Sequence, residues 1–267
     1  MSTTWLIRQK PRPDAVIRLF CFPHAGVGAS AYRAWATALP EDIELCAVQP
    51  PGRESRLREP PYTSVDALVA GAFDALLPEL EPPFAFFGHS MGATVAFELA
   101  RRLAESGRPS PVWLFVSGRR GPRLPDPDPP LRELSDTAFV DRILARYGGI
   151  PDEILRHRDL LELLLPGLRA DIAALETHKY RPGELLGCPI TAFGGTSDDR
   201  ARPVELAAWR TETTGPFDLK FFPGDHFYLE HARGAVIDAI CARLRNRVRH
   251  TPAWQLRTAV DRERVEA

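Results

Sequence analysis

The stretch Gly88-His89-Ser90-Met91-Gly92 sets one serine between two glycines in the pattern G-x-S-x-G. Glycine makes up about 7% of ordinary proteins and serine is similarly common, so a chain of this length shows that pattern by chance roughly once in ten. The setting carries more weight than the pattern. An apolar run ends at Phe87, and an Ala-rich amphipathic segment begins after Ser90. Strand, sharp turn and helix in that order form the elbow that presents a nucleophilic serine. Side chains at positions 88 and 92 would collide with neighbouring backbone in so tight a turn. Ser90 is expected in a strained backbone conformation that lifts its Oγ clear of the sheet edge. The Met91 amide, at the start of the helix, then points to where an oxyanion would form, with the helix dipole behind it.

A serine hydroxyl needs a base to take its proton, and a strand–turn–helix elbow is served by an acid and then a histidine later in the chain. Three histidines come late enough: His226, His231 and His250. His250 lies in a polar tail and His231 inside a helical pattern. His226 lies in Phe222-Pro223-Gly224-Asp225-His226-Phe227, directly after the final strand-like run, and is the candidate base. The acid should follow the preceding strand, where Gly194-Gly195-Thr196-Ser197-Asp198-Asp199 offers Asp198 and Asp199, with Asp198 preferred. Its carboxylate would hold the imidazole in the required tautomer and orientation. Asp225 would have to fold back on its neighbour and reads as a loop residue. The second oxyanion donor should come from Cys21-Phe22-Pro23-His24-Ala25-Gly26-Val27-Gly28, as the amide of Ala25 or of Gly26. His24 precedes Ser90 in the chain and reads as a loop-shaping residue.

Six apolar runs could position these groups: Val16–Phe22, Ile43–Val48, Phe84–Phe87, Val112–Val116, Pro189–Phe193 and Phe217–Phe222. They are near-continuously apolar, as parallel strands covered on both faces are. Helical patterns separate them at Ala31–Leu39, Val65–Leu77, Met91–Glu105, Val204–Thr211 and Glu230–Arg245. The alternation predicts an α/β fold with a mostly parallel, doubly wound sheet. From about 119 to 188 no strand is evident. A proline-dense opening is followed by helical patterns at Asp136–Tyr147, Glu153–Leu165 and Leu168–Thr177, with Ser135 as a cap and Gly148-Gly149 as a stop. This insertion reads as a helical lid over the strands' C-terminal ends, because Leu160–Leu165 carries more apolar surface than one packing face needs. Residues 1–245 form the expected domain, and 246–267 a polar tail that is frayed or a short outer helix.

The 267 residues are 44% hydrophobic and 26% charged, ordinary values for a soluble globular chain. A net charge of −1 gives no electrostatic case for nucleic acid. No run approaches a membrane span, and Met1 to Arg12 has no apolar signal segment. The four cysteines form no C-x-x-C pair and read as buried free thiols. The seven histidines lack metal-ligand spacing. A cytoplasmic, metal-free monomer is expected.

Taken together, the motifs resemble a known family, the type II thioesterases that act as stand-alone editing enzymes in polyketide and nonribosomal peptide synthesis. The matching pieces are F-P-H-A-G near the start, Y-R-A-W at Tyr32–Trp35, P-G-R-E at Pro51–Glu54 and G-H-S-M-G. G-G-T-S-D-D at Gly194–Asp199 and G-D-H-F at Gly224–Phe227 complete the set, spanning roughly residues 19 to 230. The resemblance implies an α/β-hydrolase fold with a lid and aligns the family's acid with Asp198. The site it implies is Ser90, Asp198 and His226 with Met91 and Ala25 as oxyanion donors. The implied substrate is an acyl thioester on the phosphopantetheine arm of a carrier protein, hydrolysed with no cofactor. A medium-chain fatty-acyl carrier thioesterase shares this chemistry, and a non-catalytic acyl-binding relative would be expected to have a broken triad. An acidic carrier could face Arg53, Arg56, Arg58, Arg119, Arg120 and Arg123. One departure stands out. The family usually has a second glycine where this chain has Val27, and a β-branched residue disfavours a positive φ there.

Overall fold

The phenylalanines of Phe84–His89 show how the centre of the molecule is built. Successive strand residues point to opposite faces of a sheet. Phe84 and Phe86 enter one apolar cluster while Ala85 and Phe87 enter another. Both faces are therefore covered, and every residue of this strand is buried. The computed structural model describes residues 5–81 and 83–250, and the 251–267 part of the expected tail lies outside them. Among the described residues the strands are β1 (Leu6–Ile7), β2 (Ile17–Phe22), β3 (Ile43–Val48), β4 (Phe84–His89), β5 (Leu114–Ser117), β6 (Ile190–Gly195) and β7 (Phe217–Phe222). They form one sheet in the order β1-β3-β2-β4-β5-β6-β7, parallel except for β1. The two-residue β1 was not anticipated in the polar N-terminal stretch. It exists through pairing with β3, Leu6 opposite Val48.

Helices α2 (Val65–Leu76) and α3 (Met91–Glu105) supply the first cluster, together with Phe20, Phe22 and Trp209. Helices α1 (Trp35–Ala38) and α8 (Arg233–His250) cover the other face, around Trp35, Val236 and Ile240. Each such apolar side chain removed from water contributes about 1.5–3 kcal/mol. The expected helix at Ala31–Leu39 is instead a 3-10 turn, Ala29–Tyr32, followed by α1. The last helix runs past Arg245 to His250.

Between β5 and β6 lie α4 (Asp136–Tyr147), α5 (Asp152–Arg156) and α6 (Arg158–Thr177); α7 (Pro203–Ala207) follows β6. Ser135 caps α4, its hydroxyl accepting from the Ala138 amide, and Gly148 closes it in the left-handed region. The break expected at Pro166-Gly167 does not occur: α6 is one 20-residue helix with Pro166 inside. An interior proline costs roughly 3 kcal/mol. Tertiary packing outweighs that penalty. Leu165 and Ile172 pack with Leu131, Phe139 and Ile143, while Pro166 faces solvent. Gly167 sits where a Cβ would come within 2.8 Å of the Gly52 carbonyl, so the helix lies directly on that loop.

Topology prepares the site. Chain β2 connects outward to β3, whereas β4 connects the opposite way to β5, so the sheet's winding reverses between β2 and β4. Loops leaving the C-terminal ends of two such strands diverge and leave a crevice. Phe22 pairs with Gly88 there, which brings the loop after β2 beside the turn after β4.

Candidate active site

Ser90 stands in that crevice with φ 52° and ψ −114°, between β4 and α3. A non-glycine residue held in so sparsely populated a region costs about 1–3 kcal/mol and requires support. The Ser90 amide donates to the Ser117 carbonyl at 2.8 Å, and the Ala93 amide donates to the Ser90 carbonyl at 3.1 Å. A Cβ on Gly88 would fall on the Gly92 carbonyl, and one on Gly92 on the Phe22 carbonyl. Only glycine at both positions lets helix and strands meet this closely.

The Asp198–His226 pair comes from two loops stitched together. The Thr196 amide donates to the Phe222 carbonyl and the Ser197 amide to the Gly224 carbonyl, both at 2.9 Å. Asp198 Oδ2 lies 3.0 Å from His226 Nδ1, with both side chains buried. Its other oxygen accepts from the Arg200 amide at 2.8 Å. Asp199 is exposed, and Asp225 is an exposed loop residue accepting from the Phe227 amide at 2.9 Å. Ser90 and His226 line one cavity, together with His24, Ala25 and Tyr147. His231 lies between this loop and α8, away from that lining.

Three imidazoles, those of His24, His89 and His226, crowd together. The ring centroids of His89 and His226 are 5.1 Å apart, and those of His24 and His89 5.7 Å. Burial, reinforced by the charge of His226, lowers His24 to about 4. Burial, then His226 and His24, holds His89 well below the usual histidine range. Both are neutral at neutral pH. His89 Nδ1 meets Ser117 Oγ at 2.9 Å, which in turn meets the Tyr228 hydroxyl at 2.5 Å. The Tyr147 ring packs on His226 from the insertion, with centroids 5.4 Å apart.

Met91 begins α3, a 15-residue helix whose dipole favours negative charge at this end. The Gly26 amide is already committed, donating to Asp171 Oδ2 at 2.8 Å. The Ala25 amide has no intramolecular acceptor among the described residues. The left-handed residue of this loop is Gly26, φ 83°, and Val27 is not among the positive-φ residues. The loop therefore needs no glycine at position 27.

The cavity above Ser90 has an empty volume of about 840 Å³, mouth included. Its walls are apolar and come largely from the insertion: Ile143, Ile154, Leu164, Leu168, Ile172 and Leu175 among them. Leu161, Leu164 and Leu165 face it, whereas Leu160 and Leu163 are exposed. An apolar pocket with a strained serine and a carboxylate-held imidazole at its base suits acyl transfer from a hydrophobic acyl group.

A family model described as Thioesterase domain matches residues 17–244. The chain belongs to the thioesterase family. This thioesterase is 43% identical over 229 residues to thioesterase PikA5 of Streptomyces venezuelae, covering 85% of this chain and 81% of that protein. It is 39% identical over 241 residues to gramicidin S biosynthesis protein GrsT of Aneurinibacillus migulanus, covering 90% and 94% respectively. The solved structure of the type II thioesterase BorB from the borrelidin biosynthetic cluster matches it with a TM-score of 0.82 at 39% identity. That match covers 92% of this chain and 98% of that one. The mostly parallel sheet and its helices are the α/β-hydrolase fold shared with these neighbours.

Of the six arginines that could face an acidic carrier, four are engaged within the protein. Arg53 is buried against Asp171, and Arg56 is buried, pairing with Glu59 and stacking over Trp5. Arg120 pairs with Glu205 and Arg123 with Glu212. Arg58 and Arg119 make no ion pair among the described residues. The four cysteines are buried and free. Among the described residues no helix is long and apolar enough to cross a membrane, and no cluster of three or more His, Cys, Asp or Glu could hold a metal. Sequence reasoning did not single out Asp171 or Tyr147. Asp171 carried a signal, a lone acid flanked by Leu168, Ile172 and Leu175 on the apolar face of its helix.

Proposed function

We propose that this protein is a type II editing thioesterase that hydrolyses acyl groups, chiefly stalled or aberrant ones, from the phosphopantetheine arm of carrier proteins in polyketide or nonribosomal peptide synthesis. The observation that carries the reading is the apolar cavity ending on Ser90 and the Asp198–His226 pair, in a chain matching relatives from such clusters along most of their length.

His226 takes the Ser90 proton at Nε2 as Oγ attacks the thioester carbonyl. Asp198 holds Nδ1–H, keeping Nε2 free to accept and stabilising the imidazolium that forms. The tetrahedral oxyanion sits between the Met91 and Ala25 amides, each such donor being worth roughly 10²–10³ in rate. Collapse breaks the carbon–sulfur bond, and the pantetheine sulfur leaves with the proton from His226. Water enters, His226 takes one of its protons, and the hydroxide attacks the Ser90 ester. The second collapse returns the proton to Ser90 Oγ and releases the carboxylic acid. The sum is thioester plus water giving acid plus thiol, and no step calls for a cofactor.

The insertion acts as a lid whose α4 and α6 walls hold the acyl chain. The enzyme works as a cytoplasmic monomer that meets its carrier transiently. Ser90→Ala tests the chemistry: loss of thiol release from acetyl-, propionyl- and longer acyl-carrier thioesters is expected, and hydrolysis at the wild-type rate would refute it. Turnover confined to long chains on a fatty-acid carrier would refute the editing role.

A further inference from the structure

The loop that bears Ala25 is held by a buried ion pair reaching it from the insertion. Asp171, on α6, accepts from Arg53 through both carboxylate oxygens, at 2.6 and 2.9 Å, and from the Gly26 amide at 2.8 Å. Arg53 reaches the same loop from the other side, donating toward the Val27 carbonyl at 3.5 Å, and anchors itself on the Pro51 carbonyl at 3.1 Å. Side-chain exposure is 4% for Arg53 and 1% for Asp171, so neither charge has water as an alternative partner. The neighbouring Glu54 takes the Gly28 amide at 2.9 Å and the Ser30 hydroxyl at 2.6 Å, closing the far end of the loop. Leu168, one turn before Asp171, sits 3.1 Å from where a Gly26 Cβ would be.

A buried pair of this kind is weak evidence for stability, because two apolar residues of similar volume often replace one without loss. Its reach is informative instead. Of two consecutive loop amides, that of Gly26 is committed to Asp171, while that of Ala25, a residue lining the cavity, has no acceptor among the described residues. Adjacent peptide planes share the Ala25 φ and ψ angles, so fixing the direction of the Gly26 N–H restricts that of the Ala25 N–H. The same α6 lines the acyl cavity through Leu164, Leu168 and Ile172, so the cavity wall and the oxyanion loop are packed as one unit.

We propose that Asp171 and Arg53 are positioning residues for catalysis: by clamping Gly26 and Val27 they aim the Ala25 amide at the oxyanion and tie that donor to the helix that forms the acyl cavity. This rests on the thioesterase mechanism proposed above. The test is the double variant Asp171→Leu/Arg53→Met, which removes both buried charges together and leaves neither stranded, compared with Asp171→Asn and wild type on acyl-pantetheine thioesters. Melting temperature, kcat, KM and inhibition by an alkyl trifluoromethyl ketone, whose serine adduct carries the oxyanion, are measured on each.

The double variant is expected to melt within a few degrees of wild type, with kcat down roughly 10²–10³-fold, the loss of about one oxyanion donor. KM should change little, and the ketone's inhibition constant should rise by a factor similar to the loss in kcat. Asp171→Asn keeps one acceptor for Gly26 but turns its amide nitrogen on Arg53, and its kcat should fall between the two. Recovery of kcat to within about fivefold of wild type in a double variant of restored stability would overturn the proposal. So would a wild-type kcat in Asp171→Asn. Failure of the underlying mechanism is distinguishable, since it would show as thioester hydrolysis persisting in Ser90→Ala.

Discussion

Replacing Asp198 with asparagine changes the charge and proton inventory of the site while conserving its shape. One end of the side chain accepts from the Arg200 amide at 2.8 Å and the other faces His226 Nδ1 at 3.0 Å. An asparagine oxygen can serve only one of these. If it stays on Arg200, the new NH2 donates to Nδ1, and the proton moves to Nε2, where it blocks acceptance from Ser90. If it turns to His226, two donors face each other at Arg200, and an unmet buried hydrogen bond costs about 1–3 kcal/mol. Either way the carboxylate's charge-assisted bond to the imidazolium is lost, a further 1.5–3 kcal/mol or so. Restoring the active tautomer in the first orientation is counted as about the same 1–3 kcal/mol as the unmet bond in the second. About 2.5–6 kcal/mol is then removed in either, or roughly 10²–10⁴ in kcat at pH 7.5. Initial rates of thiol release from an acyl-pantetheine thioester measure it, with the melting temperature as a control for folding. Asp199→Asn, at the exposed neighbour, should remain within about twofold of wild type. If Asp198→Asn keeps more than a fifth of the activity, or Asp199→Asn loses as much, the assignment of the acid is wrong.

Gly92→Ala would drive a methyl group onto the Phe22 carbonyl where α3 meets β2. A destabilisation of about 3 kcal/mol or more is expected by denaturant titration, and an unchanged midpoint would contradict the packing. Acidification should destabilise the fold through His24. Its proton affinity is lowered from the ordinary 6.5 to about 4, so the unfolded chain takes up a proton that the folded one refuses. Stability from this group is complete above pH 6.5 and falls towards pH 4 by up to about 3 kcal/mol, reduced by the solvent exposure of a half-buried ring. His89 acts in the same direction. Melting curves of His24→Asn should therefore show a shallower slope between pH 6.5 and 4.5, and a slope equal to wild type would exclude the residue as a source. Leu164→Trp should fill part of the acyl cavity. Each methylene it displaces lowers kcat/KM about fourfold, at 0.8 kcal/mol or so per CH2, for long chains only. An equal loss on acetyl and decanoyl thioesters would point to a damaged site instead of a shortened pocket.

The sequence by itself determined the alternation of strands and helices, the elbow at Ser90 and the loops that carry Ala25, Asp198 and His226. These features are written in short-range chemistry. Buried parallel strands need unbroken apolar runs, a turn as tight as Gly88–Gly92 excludes side chains, and helix starts and stops carry caps such as Ser135 and Gly148. Strands β2 to β7 accordingly end within two residues of their expected limits.

What the local signals could not carry was the choice among partners far apart in the chain. β1 is two residues that are a strand only because β3 accepts them. Helix α6 runs through Pro166 because its apolar face is held by Phe139 and Ile143. Asp198 and Asp199 are adjacent and chemically alike, and only the stitching of the β6 and β7 loops turns one towards His226 and the other to solvent. The sequence offered the Ala25 and Gly26 amides alike, and nothing local showed that Asp171, 145 residues later, takes that of Gly26. Arg53 belongs to a surface-like loop sequence, yet the fold buries it against that same aspartate. Types and order of residues are local facts, whereas burial and hydrogen-bond direction exist only once distant segments have packed. For that reason the elbow at Ser90 was legible in the sequence and the packing around it was not.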